Sequence, residues 1–297
     1  MSEIPHTLAA RLSRLEAGLQ TLPDKPEETA HTALVALAHL AAGTRLSLQA
    51  AAEGRAPALD DSQLEALDGY IARRLSGIPL AHLTERQRFM GLEMLAGPQA
   101  LIPRHETELL ATAARAKLLA CEAARPCVVD VCTGSGNLAL ALAHAAPAAR
   151  VFASDLSADA VELAGRNAQL LGLQARVAWR VGDLLAPFDE PAFHGQVDLL
   201  TCNPPYISSK KLETMPGEIV GHEPHLAFDG GPLGVRILTR VVREAPRFLK
   251  PGGWLAVEIG LGQGKAMRQR LEAAGSYARV EEVLDAQGEI RALLGRT

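Results

Sequence analysis

The chain of 297 residues is long enough for two domains, or for one large α/β domain with an appendage; with 48% hydrophobic and 22% charged residues it is neither disordered nor fibrous. Its 30 Lys+Arg against 34 Asp+Glu leave a formal charge of −4, so no whole-protein basic field is available to hold phosphates. Two Trp, three Tyr and six Phe are too few for a run of base-stacking platforms, which argues against generic nucleic-acid binding.

From residue 6 to about 88 the pattern is helical, with Leu8, Leu12, Leu15 and Leu19 and then Leu34, Leu37 and Leu40 recurring at spacings of three or four. Pro23 and Pro26 separate the first two helices, Gly43 ends the second, and Asp60 or Asp61 caps another that runs to Gly77. This predicts a small helical bundle, and its 9 Lys+Arg against 11 Asp+Glu over residues 1–90 exclude a basic arm. Arg73-Arg74 reads as a solvated helix face, or as a contact for an acidic partner.

Residues 86–103 carry two short apolar segments around Gly97-Pro98, the pattern of a hairpin. Beyond Glu106 strands alternate with helices: strands over 126–132, 150–155, 176–181, 197–202 and 254–259, helices over 137–146, 157–171, 233–249 and 264–274. Such alternation predicts a mostly parallel sheet with helices on both faces. Two last strand-like segments, 277–284 and 290–295, flank Asp285 to Gly288 and close the sheet as a hairpin. The expected organisation is a helical domain over 1–85, a hairpin linker over 86–103 and an α/β domain over 104–297.

Cys121, Cys127, Cys132 and Cys202 show no C-x-x-C spacing and lie mostly on or beside apolar segments, as small core residues do in a reducing cytosol. The start, Met1 to His6, has no apolar signal region, and the apolar run 33–42 is shorter than the roughly 18 residues that span a bilayer. A cytoplasmic protein without membrane contact is expected.

The first α/β strand runs through Asp130-Val-Cys132-Thr133-Gly134-Ser135-Gly136 directly into a helix, which places a glycine turn at the carboxyl edge of the sheet, where open α/β sheets bind ligands. Gly134 to Ala139 also fits the G-x-G-x-x-A dinucleotide form, and a purely structural turn is a further alternative. Asp155 ends the second strand, where a carboxylate can accept from two ribose hydroxyls, or can cap the helix beginning at Ser157. Asp183 follows the third strand, a position for an adenine amino group or for a turn.

Asn203-Pro204-Pro205-Tyr206 decides among these. Two consecutive prolines fix φ and remove two donors, so the loop presents rigid acceptors after the apolar strand 197–202. A planar NH2 is a poor nucleophile because its lone pair is delocalised. The Asn203 side-chain oxygen and the Pro204 carbonyl can each accept one N–H and align that lone pair on an electrophilic methyl group, while Tyr206 packs against the planar group.

Together these residues resemble class I S-adenosylmethionine-dependent methyltransferases, and more narrowly the HemK/PrmC family of protein N5-glutamine methyltransferases. The likeness extends over nearly the whole chain: Arg73-Arg74, Gly77-Ile-Pro79, Phe89, Leu101-Ile-Pro-Arg-His-Glu-Thr-Glu108, Asn203 to Ile207, Glu223-Pro224, Gly230-Gly231, Pro251-Gly-Gly253, Glu258-Ile-Gly260, Gln263, Asp285 and Arg291. It implies a Rossmann-like domain with a seven-stranded, mostly parallel sheet, and a small N-terminal helical domain that grips a protein substrate. It implies methyl transfer to a glutamine side-chain amide, in the best-known branch that of the Gly-Gly-Gln loop of class I peptide chain release factors. By the same resemblance, Asp130, Cys132, Thr133, Gly134, Ser135, Gly136, Asp155, Leu156, Asp183, Leu184 and Asn203 bind the cofactor, and Asn203, Pro204, Pro205 and Tyr206 are catalytic. The chain departs from the pattern at His105, usually proline, at Leu184, often aromatic, and at His222, often Tyr.

His222-Glu-Pro-His225 resembles a metal pair, but Pro224 breaks the helical spacing such sites need, and no metal is expected. Glu106 and Glu108 suit either a helix N-terminus or a catalytic carboxylate. A nucleic-acid adenine methyltransferase would share the elbow but needs basic or aromatic surface; an oxidoreductase would leave the elbow unexplained; a non-enzymatic module would bind cofactor and transfer nothing. Another protein glutamine or a small-molecule nitrogen is the nearer alternative acceptor. A monomer without free nucleic acid is expected.

Overall fold

The computed structural model describes residues 5–20, 25, 27–212, 214, 218 and 221–297. Pro23 and Pro26, expected to separate the first two helices, lie outside the described residues. The chain forms two compact units: Met1–Pro98 with Ile102–Arg104 and Pro216–Glu223, and Gln99–Leu101 with His105–Met215 and Pro224–Thr297.

The first unit carries helices α1 (Ala9–Gly18), α2 (Ala30–Ala41), α3 (Leu48–Glu53), α4 (Asp61–Leu75) and α5 (Leu80–Thr84). Helix α2 is apolar around its circumference, and Ala33 to Ala38 are all buried, so it forms the axis of the bundle. Its N-terminus is closed by a reciprocal Thr29–Thr32 capping box, and that of α4 by Asp60 with Gln63. Arg73 is exposed, but Arg74 is 2% exposed and its guanidinium donates to Glu28 at 2.7 Å and to Glu218 at 3.0 Å. The solvated face expected for this pair therefore holds for one residue only.

A hairpin follows, β1 (Arg86–Phe89) against β2 (Leu92–Leu95). It turns at Met90-Gly91, not at Gly97-Pro98. Both turn residues have positive φ, +50° and +80°, which matches the right-handed twist of two strands joined by a two-residue loop.

The second unit contains α6 (Thr107–Leu119), β3 (Cys127–Val131), α7 (Asn137–Ala145), β4 (Arg150–Asp155), α8 (Ala158–Leu170), β5 (Val177–Val181), β6 (Val197–Cys202), α9 (Ser209–Leu212), α10 (Arg236–Glu244), β7 (Leu249–Glu258), α11 (Gly264–Ala273), β8 (Arg279–Leu284) and β9 (Ile290–Arg296). Its seven strands lie in the order β5-β4-β3-β6-β7-β9-β8, and only β9 runs antiparallel to its neighbours. This is the mostly parallel, Rossmann-like sheet expected from the alternation. Helix α10 is shorter than the segment 233–249, because Pro246 cannot continue it, and β7 begins earlier, at Leu249.

Every residue of β3 is buried, as a central strand covered on both faces requires. Val129, Val131, Leu200, Cys202, Leu255, Val257 and Leu293 pack into one core. The sheet grows from β3 to β4 in one direction and to β6 in the other, so a crevice opens at the carboxyl ends of β3 and β6. No helix of the described residues is long and apolar enough to cross a membrane.

Candidate active site

The glycine turn after β3 is held from three sides. Thr133 N–H donates to the Ser154 carbonyl at 3.0 Å, Gly136 N–H closes the turn on the Thr133 carbonyl at 2.8 Å, and Asn167 of α8 donates to the Ser135 carbonyl at 3.0 Å. Gly136 has φ +82°, and a Cβ there would stand 2.9 Å from the Trp179 ring, so both conformation and space demand glycine. At Gly134 an added Cβ would meet only Ala100, at 3.9 Å. The Ser135 hydroxyl is buried with no hydrogen-bond partner among the described residues.

Asp155, at the tip of β4, brackets this turn: one carboxylate oxygen accepts from Gly134 N–H at 2.8 Å, the other from Ser157 N–H at 3.0 Å. Ser157 itself caps α8 by accepting from Ala160 N–H at 3.2 Å, which leaves Asp155 to the turn. Burial raises the Asp155 pKa, and the backbone donors oppose the rise.

Asp130 lies inside the fold. It is fully buried, and its two oxygens accept from Thr133 and Thr201 hydroxyls, each at 2.6 Å. Its place is beneath the turn as a strut joining β3 to β6. Burial pushes its pKa up to about 7, against an ordinary 3.8. The folded protein therefore keeps a proton here that the unfolded chain releases, so this group's contribution to stability falls as pH rises from about 4 to about 7. In urea melts the wild type is expected to lose stability across that window, and Asp130→Asn to lose less of it; parallel curves would remove Asp130 from the titration.

The elbow begins directly after β6. Asn203 Nδ2 donates to the Thr107 hydroxyl at 3.1 Å, which points Oδ1 the other way. Among the described residues no group donates to Asn203 Oδ1 or to the Pro204 carbonyl. Tyr206 is half-buried and tied at both ends: its hydroxyl donates to Glu258 Oε1 at 2.9 Å, and its carbonyl accepts from Gln263 Nε2 at 2.9 Å. Ile207 then pairs with the 228–230 segment, giving its N–H to the Phe228 carbonyl and accepting from Gly230 N–H, each at 2.9 Å. Gly234 packs so closely that a Cβ would fall 2.3 Å from the Tyr206 oxygen.

Other expected cofactor residues are distributed differently. Cys132 adopts φ +57° beside the buried Cys202 thiol, and burial drives the pKa of Cys202 upward. Leu156 is 55% exposed next to Asp155, an apolar surface at the crevice edge. Leu184 has φ +50° and a buried side chain that belongs to the core cluster containing Phe188 and Val131. The Asp183 carboxylate pairs with Arg240 at 2.9 Å. Glu223 accepts from the Ile102 N–H at 2.8 Å and from Arg104. Among the described residues no three His, Cys, Asp or Glu are grouped to hold a metal.

Thr107, Thr201, Glu258 and Gln263 have no site role in the sequence reading. Glu258 carried one signal, an acid ending the apolar strand Trp254-Leu-Ala-Val-Glu258. The hydroxyl and amide partners carried none, because their meaning lies in contacts across the sheet.

A ligand crevice at the reversal of strand order, walled by a glycine turn on one side and an acceptor-bearing elbow on the other, defines a Rossmann-like methyltransferase. The family described as methyltransferase small domain matches residues 107–233, a span that includes both walls. A release factor glutamine methyltransferase from Moorella thermoacetica is 41% identical over 242 residues, 82% of each chain, and one from Geobacter sulfurreducens is 40% identical over 70% of each. The chain belongs to the release factor glutamine methyltransferase family. The solved human methyltransferase 10 domain containing protein shares the fold, with TM-score 0.51 and 15% identity over 69% of this chain and 88% of its own.

Proposed function

We propose that this protein binds S-adenosylmethionine and methylates the side-chain amide nitrogen of a glutamine in the Gly-Gly-Gln loop of class I peptide chain release factors, in the cytoplasm. The observation that carries the reading is the elbow: two acceptors, Asn203 Oδ1 and the Pro204 carbonyl, stand without donors at the crevice, and Thr107 fixes the direction of the first. A primary amide offers two N–H groups to two such acceptors.

Several features suit the cofactor. The buried Ser135 hydroxyl lacks a partner among the described residues, Gly134 leaves room for close backbone approach, and Asp155 can accept ribose hydroxyls on lone pairs its backbone donors leave free. Thr133 to Gly136, Asp155 and Leu156 would hold it, with Asp130 acting from beneath. S-adenosylmethionine supplies a methyl group made electrophilic by its sulfonium sulfur. Asn203 and Pro204 accept the amide hydrogens and so turn the nitrogen lone pair toward that carbon. The half-buried Tyr206 ring limits the tilt of the amide plane. As the N–C bond forms and the C–S bond breaks, positive charge appears on nitrogen, where the same two oxygens stabilise it until one proton leaves.

The test incubates the purified protein and labelled methyl donor with a full-length class I release factor, total RNA and free glutamine in parallel. Label is expected on the loop glutamine of the release factor, mapped by mass spectrometry and lost in its Gln→Ala variant. Label on RNA, or on free glutamine alone, would overturn the reading.

A further inference from the structure

The Tyr206 end of the elbow leads to one buried carboxylate. Glu258 is the last residue of β7, paired with Ala292 of β9, and is 1% exposed. Its Oε1 accepts from the Tyr206 hydroxyl at 2.9 Å. A carboxylate has no proton to offer, so it enforces donation from Tyr206, whereas a hydroxyl or amide in its place would leave either direction open. Five residues further on, Gln263 takes the Tyr206 carbonyl while its own oxygen accepts from Gly260 N–H at 3.2 Å, so the strand end that carries Glu258 also grips the Tyr206 backbone.

We propose that Glu258 is a positioning residue of methyl transfer: its buried carboxylate accepts from the Tyr206 hydroxyl and so holds the ring that borders the acceptor amide. The proposal rests on the glutamine reading above and concerns how that site is held. Glu258 is enclosed and acts through its partners, without contact to the reacting atoms. Its second oxygen, Oε2, is buried with no hydrogen-bond partner among the described residues, so the ionised form is stabilised there only on one side. The charged groups facing it are Arg291 of β9, which favours the anion, and Glu106 before α6, which opposes it; Tyr206 is the neutral donor, and the nearby Thr107 side chain also favours the anion. Burial wins, and Glu258 titrates at about 6. Below that pH the carboxyl is neutral and no longer dictates the direction of the Tyr206 hydrogen bond.

The experiment compares wild type, Glu258→Gln, Tyr206→Phe and the double variant. Glu258→Gln keeps the size and one acceptor oxygen but removes the charge. Methyl transfer is measured from about pH 5 to about pH 8 alongside cofactor affinity by calorimetry and melting temperature. Wild-type kcat is expected to fall as pH drops through about 6, and this acid limb to vanish in Glu258→Gln, whose kcat above the limb is about tenfold lower, the difference between a charge-assisted and a neutral hydrogen bond. Cofactor affinity is expected to stay near wild type. The double variant is expected to be no slower than the slower single variant, because Glu258 acts through Tyr206. Multiplying losses, or an acid limb retained in Glu258→Gln, would overturn the proposal. A readout without any acceptor separates the two readings: the ring-carbon NMR signal of labelled Tyr206 is expected to shift near pH 6 in wild type and not in Glu258→Gln. Failure of wild type to methylate any glutamine overturns the functional reading alone; the ring signal then decides the role of Glu258, and an unshifted signal in wild type defeats it.

Discussion

Replacing Asn203 by Ala is expected to lower kcat for methyl transfer on the order of 10²-fold while leaving cofactor affinity little changed. The variant removes one of the two oxygens that stand ready at the crevice and keeps the other, the Pro204 carbonyl, so an amide could still bind but would swing about its one remaining hydrogen bond. Alignment of a lone pair on a carbon is sensitive to such freedom, and the oxygen also stabilises a charge that exists only as the new bond forms. The loss should therefore appear in kcat more than in KM for the acceptor protein. Stopped turnover with intact cofactor binding and an unchanged melting temperature is the expected signature; near-normal turnover would remove Asn203 from the chemistry.

The site was legible where its logic is local. Asn203 to Tyr206 announce themselves because two prolines after an apolar strand permit one geometry, and Gly136 because a tight strand-to-helix turn needs positive φ. The sheet was legible for a similar reason: alternating strands and helices allow few topologies. Direction of side chains was not. Asp130 and Leu184 stand at positions that face the crevice in sequence order, yet one is a buried strut and the other a member of the core cluster. Glu258 and Thr107 escaped because their partners are far along the chain, and only the packed sheet brings them together. Arg74 was misread by composition: an arginine pair on a helix looks solvated until Glu28 and Glu218 are placed beside one of its members.

Asp155→Ala is the complementary experiment, expected to weaken S-adenosylmethionine binding by roughly 30- to 150-fold, about 2 to 3 kcal/mol for a charge-assisted pair of hydrogen bonds. The carboxylate does two things at once. It draws the Gly134 and Ser157 N–H groups onto its two oxygens, which holds the glycine turn open, and it keeps lone pairs directed at the crevice for two vicinal hydroxyls. Loss of the first function would lower the melting temperature of the free protein, and loss of the second would not. The two separate in part in Asp155→Asn, which keeps one acceptor oxygen for the turn but sets an NH2 against the other N–H and accepts less strongly from ribose: its melting temperature should lie between those of Asp155→Ala and wild type while its affinity remains reduced. Because the pKa of Asp155 is raised by burial, wild-type affinity should also decline as pH falls through the folded value, the protonated acid being a poorer acceptor, and Asp155→Asn should lack that decline. Saturating cofactor should restore kcat in both variants, since neither touches the elbow. Calorimetric affinity equal to wild type in Asp155→Ala would take this residue out of the binding site and leave it only the turn.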